Sequence, residues 1–515
     1  MRPRHASLLL ALVLPAPAWA ETAFNGYVSE RLQLTMPSDY ALISTQDLAI
    51  MQSLSEGNIQ VRFRGLDEKL YLYTDASAFA SFAGGYADTD LTTGRLKFVK
   101  EHDVPNYRPF VVISEAYGTL ELFEHLTLTA GKKRVVWGSG QAFNPTDLIN
   151  PPRDPTDPNF QRAGAWMLKL DLPFERFTVS GLISPKVLYQ QNGIPYALFM
   201  YPGYPPAEHV RNPTLVADPR DNQPHYAVAA RLYALLFDSD INVWMLYTNL
   251  YNDALENKPR AAFSFSRYFF TDYEFHVEAL LQLGSNRQYV NSACVGSEND
   301  LAGCVLSGKE LATMREAHSM QFYPRLLFGT RTMFQDESTL SVEYLFQSDG
   351  YDRDEFDDFV TLQKRVGTFQ RRGLVAGTVG TTGTGSELPL RFSFDPARRH
   401  YLIVSYMKPK ILDDWTIQGT SITALEDLSS TLTGSVTWNA QEWLNLALYA
   451  FIPTPSLGRL SQVHSNDPLG KLEDEMGEDW EGLLPLGADV DGKRYGEYDA
   501  LPFRGRVVAE MRAYF

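Results

Sequence analysis

Histidine and cysteine are scarce in this chain, nine and two among 515 residues. There is no G-x-S-x-G, no H-E-x-x-H and no set of paired metal cysteines, so neither nucleophilic nor zinc-dependent hydrolysis is indicated. The Gly-Thr stretch 373–385 follows no strand, opens no helix and lacks the Lys-Ser/Thr of a phosphate cradle. A barrel enzyme would have to draw on His209, His225 or His318 and nearby acids, and no enzyme, cofactor or metal is expected. Also missing is any run of about 18 consecutive apolar residues, which excludes a transmembrane helix. Basic residues are outnumbered 46 to 62 for a net charge of −16, which argues against nucleic acid as a partner.

What is present lies first at the two ends. Residues 1–20 read MRPRHASLLLALVLPAPAWA, with Arg2 and Arg4 before a short apolar core and Ala18-Trp19-Ala20 before Glu21. That is the pattern of a secretory signal peptide, leaving 21–515 as one mature domain. At the other end FRGRVVAEMRAYF alternates strictly from Phe503 to Phe515. Period two puts an apolar face toward lipid and a polar face toward a lumen. A final strand that stops on an aromatic resembles the C-terminal signal read by the barrel assembly machinery of Gram-negative outer membranes. In the oxidising compartment a signal peptide implies, Cys294 and Cys304 are expected to close a loop as a disulfide.

Between the ends, strand signals come in pairs joined by tight polar turns. Examples are 111–122 with 125–136, 225–237 with 240–251, 317–332 with 336–347 and 430–438 with 443–452. With a first strand near 25–36 and a last at 504–515, the count is about eighteen, with sixteen as the alternative. The other connections are mostly long, such as 83–110, 185–224, 348–397 and 453–503. Short turns at one rim and long loops at the other specify an all-β fold: a transmembrane up-and-down antiparallel β-barrel. Phe123, Phe174, Phe177, Phe237, Phe270, Tyr273, Trp415 and Trp443 flank the short turns and predict an inner-rim aromatic girdle. The segment 45–56, TQDLAIMQSLSE, reads as a short helix. The acidic run Glu473-Asp474-Glu475 with Glu478, Asp479 and Glu481 reads as solvated outer loop.

Alternation also assigns the lumen. Arg31 on the first strand, Arg62 and Arg64 on the second, and Arg504, Arg506 and Arg512 on the last turn inward. Closure makes those three strands neighbours, so the six arginines are expected to form one wall and a path for anions. The competing reading is a structural ladder paired to Glu510 and loop acids. Glu115, Glu121, Glu274, Glu278 and Glu343 are expected on the opposite wall, setting up a transverse field. Thr416, Gln418, Thr420, Thr431, Thr433 and Ser435 give a neutral, hydroxyl-rich sector.

The segment 137–162 is rich in Pro, Gly, Asn and Asp, and is expected to fold into the barrel as a constriction carrying Trp137, Asn144, Asp147 and Asn150. Gly131-Lys132 through Val135, Trp137-Gly138, then Asn144-Pro145, Asp147 and Asn150-Pro151 resemble a motif of Gram-negative outer-membrane barrels, in which a strand ending in Trp-Gly leads into an Asn-Pro-rich loop. The eighteen-strand plan with an arginine wall is similar to substrate-specific carboxylate porins and alginate-export barrels. The resemblance implies a porin-like outer-membrane barrel; with the arginine wall it leads to the expectation of a channel for small anionic solutes, and the partners expected are membrane lipid, lipopolysaccharide, the barrel assembly machinery and small solutes. The alternative is a non-conducting structural or export barrel.

Overall fold

A computed structural model describes residues 21–37, 48–89, 96–99, 107–123, 126–150, 164–185, 226–248, 259–295, 300–362, 397–454 and 503–515, except 271, 286, 301–302, 305–306, 308–311, 315–320 and 360. The signal-peptide reading, the Gly-Thr stretch, His209, His225, His318 and the acidic run at 473–481 lie outside the described residues.

The strands in chain order are β1 (Glu21–Pro37), β2 (Leu48–Gly65), β3 (Leu70–Thr89), β4 (Leu96–Val99), β5 (Tyr107–Phe123), β6 (Leu126–Lys133) and β7 (Ala165–Pro173). They continue with β8 (Phe177–Pro185), β9 (Tyr226–Leu236), β10 (Ser239–Thr248), β11 (Arg260–Phe269), β12 (Tyr273–Leu283), β13 (Gln288–Val290) and β14 (Ala312–Met314). The last are β15 (Phe322–Met333), β16 (Thr339–Gln347), β17 (His400–Ile411), β18 (Trp415–Ala424), β19 (Ser430–Gln441), β20 (Leu444–Thr454) and β21 (Phe503–Tyr514). Setting aside β4, which only extends the outer end of β3, and the separate β13–β14 pair, each strand pairs antiparallel with its neighbours and β1 pairs with β21. The result is a closed barrel of eighteen strands. Among the described residues no helix is long and apolar enough to cross a membrane.

The seam is locked at the chain terminus. Gly26 and Phe515 exchange both backbone hydrogen bonds, at 3.1 and 3.0 Å. The inner turns are as tight as alternation requires. Phe237 and Asp238 both take positive φ, 53° and 58°, the left-handed pair that matches the twist of a two-residue hairpin. All eight aromatics expected in the inner girdle are exposed on the outside. Above them Val28, Leu32, Leu34, Ile59, Val111, Val179, Val243, Phe328 and Leu448 are exposed as well. They form the apolar belt that a lipid-facing barrel wall needs. Glu30 is an exception on this face. It stands between Val28 and Leu32, and its carboxylate accepts from the hydroxyls of Ser53 and Ser55.

One expectation fails here. The described part of 45–56 is strand, not helix: β2 begins at Leu48 and pairs with both β1 and β3. Gln52, Leu54 and Glu56 turn inward and are buried, while Met51 faces out. Two flanking strands supply ladder partners on both sides from Met51 to Glu56, which outweighs a weak local helix preference.

The long connections from β12 and β16 build a cap at the outer end of the wall. It contains β13, β14, a 3-10 turn at Ser292–Cys294 and a short helix over 353–359. Cys294 and Cys304 are disulfide-bonded, with Cα atoms 5.8 Å apart and both residues buried. In the native, unreduced protein a thiol reagent should therefore label nothing, and two labels should appear after reduction. Tyr289, Tyr351, Phe356 and Phe359 form the cap's own core. Arg398 is fully buried over the Phe356 ring at 3.9 Å and pairs with Asp427 at 2.7 Å. Asp349 is bound by Arg325 at 2.7 Å and by the Ser285 hydroxyl at 2.7 Å. Burial works to raise its pKa, but Arg325, with Arg287 and Ser285, outweighs burial and holds the carboxyl well below the usual range.

Candidate functional site

The lumen is divided by the segment that follows β6. This strand ends at Lys133, so the chain leaves the wall at mid-height and crosses the interior. Its apolar residues Val135, Trp137, Leu148 and Ile149 settle on an apolar patch of the inner wall made by Ala165, Met167, Leu182, Ala229, Trp244, Leu246 and Leu280. The Trp137 ring meets Trp244 edge-on, centroids 5.1 Å apart, and Arg231 lies 5.6 Å over its face. Farther on, Ala142 and Phe143 pack against Leu327, Leu345, Tyr401 and Ile403 on β15, β16 and β17. The described part of the loop thus reaches from β6 to β15, β16 and β17.

Each of the four loop residues singled out from the sequence has a definite task. Asn150 ties the two ends of the loop together: its Oδ1 accepts from Val135 N–H at 2.9 Å, while its amide donates to Val135 O and to Asp147 Oδ1. Asp147 N–H closes a turn on Asn144 O at 3.1 Å. Asn144 Oδ1 lies 3.0 Å from the Thr146 hydroxyl. Trp137 supplies the apolar anchor. Gly138 leaves room for two side chains, since a Cβ there would stand 2.3 Å from Asn144 Oδ1 and 2.5 Å from Glu278 Oε1 and would force one of them to move.

The acids expected on a charged wall behave differently from the expectation. Glu278 and Glu343 are buried beneath the loop and accept its backbone N–H groups. Glu274 pairs with Arg331. His276 Nε2 lies 3.1 Å from Glu343, in space left by Gly329, where a Cβ would fall 2.0 Å from the imidazole. The sequence showed that these side chains face inward but not what covers them. These three acids therefore contribute no open negative wall.

The arginine wall also differs in its layout. All six sites lie on β1, β2 and β21, but the register spreads them along the barrel. Arg506 stands opposite Thr35 and Arg512 opposite Ser29. Arg62 and Arg64 stand opposite Ala23 and Glu21. From position 23 to position 35 on β1 is about 40 Å at ~3.3 Å per residue, too far for one carboxylate to bridge. The middle of the wall is compensated. Arg31 lies 3.2 Å from Glu56 and 3.4 Å from Glu510, and Arg512 lies 2.5 Å from Glu510 and 4.6 Å over Tyr27. Arg506 is buried. Of Arg504 only the strand position is described. Arg62 and Arg64 are exposed at the inner end, form no ion pair among the described residues, and lie over Tyr73 and Tyr71 at 5.8 and 5.9 Å. Lys133 lies 4.4 Å over the neighbouring Tyr117. This cation–tyrosine platform was not foreseen.

Below the loop is an open vestibule. A cavity of about 360 Å³ lies between Gln141 of the loop and the lower ends of β11 and β15 to β18, lined by Arg331, Tyr268, Ser341, Ser405 and Gln418 among others. Part of the hydroxyl-rich sector faces it: Gln418 lines the cavity, and Thr420 lies 3.0 Å from the Ser405 hydroxyl.

A closed wall, an apolar outer belt and a polar lumen narrowed by an infolded loop define an integral membrane β-barrel. No protein-family model matches the chain, and no curated protein does. Solved structures that it resembles include OccAB3 of Acinetobacter baumannii (9% identity, 96% of this chain and 99% of that one, TM-score 0.41). Others are OccK7 of Pseudomonas aeruginosa (8%, 96% and 98%, TM-score 0.43) and the outer-membrane protein OpdK of Pseudomonas aeruginosa (6%, 96% and 99%, TM-score 0.44). The fold described here rests on this chain's own strand register.

Proposed function

We propose that this protein is an outer-membrane channel for small solutes and that it favours anions. The observation that carries the reading is the pair Arg62 and Arg64, exposed on the lumen face with no ion pair among the described residues. A guanidinium is always charged and binds carboxylate or phosphate in a fork. In a water-filled tube with low-dielectric walls its field is felt across the lumen. Arg504 and Arg506 at the outer end, and Arg31 and Arg512 at mid-height, complete the proposed path, although acids offset the middle pair. Lipid and lipopolysaccharide meet the outer belt in this reading, and the barrel assembly machinery reads the strand ending at Phe515.

A second reading is a plugged barrel that conducts nothing, and the loop's apolar packing across the lumen favours it. One experiment separates the two. In planar bilayers under a salt gradient, the wild-type channel should give a reversal potential of the anion-favouring sign. Replacing both Arg62 and Arg64 by Gln should shift that potential toward zero with no loss of folding. An unchanged potential removes the two arginines from the path, and the absence of any conductance favours the plug.

A further inference from the structure

Four consecutive backbone N–H groups of the infolded loop are aimed at two carboxylates on different strands. Ser139 and Gly140 donate to Glu278 Oε1, the latter at 2.6 Å. Gln141 and Ala142 donate to the two oxygens of Glu343, at 2.8 and 3.3 Å. Thr146 completes the set, its N–H 3.4 Å and its hydroxyl 2.9 Å from Glu278 Oε2. Both glutamates are buried, at 0% and 1% exposure. Among the described residues neither forms an ion pair with Lys or Arg.

From these contacts we infer that Glu278 and Glu343 are positioning residues that set the size limit of the pore. As carboxylates they hold the loop across the lumen, and when they are protonated or neutralised the loop leaves. The inference rests on the channel reading. An ionised carboxylate offers about four acceptor sites, and bonds to it are roughly twice as strong as neutral ones. A protonated acid loses much of that capacity, and the amides it held prefer water. With no Lys or Arg paired to them among the described residues, the loop's position is linked to proton binding.

The surroundings fix the direction of the effect. His276 and Glu274 lie on the same strand as Glu278. On β15, Arg331 is engaged by Glu274 and Arg325 by Asp349. On β11 and β17 the neutral Ser264 and Ile403 stand opposite the two glutamates. In the loop, Asp147 serves Asn150. Protonation of His276 gives Glu343 a cationic neighbour and tightens its side of the clasp. Release therefore belongs to the carboxylates, whose loss of charge removes acceptors from the loop's amides.

The test is single-channel conductance in planar bilayers, with the largest neutral polymer that enters the pore as a second readout. The wild-type channel is measured between pH 7 and about pH 4, a range that spans ordinary His and Glu titration. The E278Q/E343Q double variant is measured at pH 7, its folding checked by heat-modifiable migration. The expected result is a severalfold rise in conductance and a larger polymer limit, both in acid-treated wild type and in the variant at neutral pH. Conductance that neither acid nor the substitutions change overturns the inference and leaves the channel reading standing. So does a variant that melts earlier but conducts as wild type. If the double variant does not fold, the wild-type pH profile decides alone. A wild-type barrel that conducts nothing overturns both.

Discussion

Replacing Arg31 by alanine should destabilise the barrel more than any other change on the arginine-bearing wall. Arg31 is 4% exposed and lies between Glu56 and Glu510, themselves 1% and 5% exposed. The Tyr27 hydroxyl and the Ser77 hydroxyl already donate to Glu56, each at 2.8 Å, so they are not free to replace a lost guanidinium. Removing one member of a buried charge network leaves the others uncompensated, at a cost of about 3–5 kcal/mol. The urea midpoint of the detergent-solubilised barrel reads the loss. A change below ~1 kcal/mol would mean that lumen water screens the network as it screens surface pairs. By contrast, the exposed Arg62 and Arg64 lie over tyrosine rings and form no ion pair among the described residues. Their loss should appear in ion selectivity and not in the midpoint.

Valine at Gly138 should free the constriction while leaving the wall intact. The new side chain would overlap Asn144 and Glu278, two members of the loop's own anchorage. Overpacking of this kind costs about 1–3 kcal/mol, and here the loop can relieve it by moving out of the lumen. The expected signature is a larger and noisier single-channel conductance with an unchanged thermal midpoint. The same conductance as wild type would show that the loop shifts locally and still blocks the pore.

How much of this was legible in the sequence follows from what alternation encodes. Period two records which face meets lipid, and that alone yielded the eighteen strands, the inner girdle and the inward side of Arg31, Glu278 and Glu343. It does not record height along the axis. Arg62 and Arg506 were correctly placed on one face and wrongly placed near each other, because only the pairing of Arg62 with Ala23 and Arg506 with Thr35 sets their separation. The helical reading of 45–56 failed for a related reason. Its periodicity was ambiguous over a dozen residues, and the flanking strands decided it.

The turn residues of 137–162 led us to expect an infolded loop, but its landing site was not sought. A signal existed: Ala227, Ala229, Trp244, Leu246 and Leu280 are apolar on the lumen side as well as between apolar lipid-facing neighbours. Strands apolar on both faces do not line water, so something must cover them. The clasp itself had no such signature. Glu278 and Ser139 are 139 residues apart, and Glu343 and Gln141 are 202 apart. Backbone donors leave no mark on the residue types that carry them.

The central claim is that the lumen, though narrowed, is open and favours anions. The most direct test is the current–voltage relation of the purified wild-type protein in a planar bilayer, with a tenfold salt gradient across it. The account predicts discrete conductance steps and a reversal potential on the anion-selective side. A protein that inserts, shows heat-modifiable migration and carries no current would contradict it, as would steps that reverse on the cation-selective side.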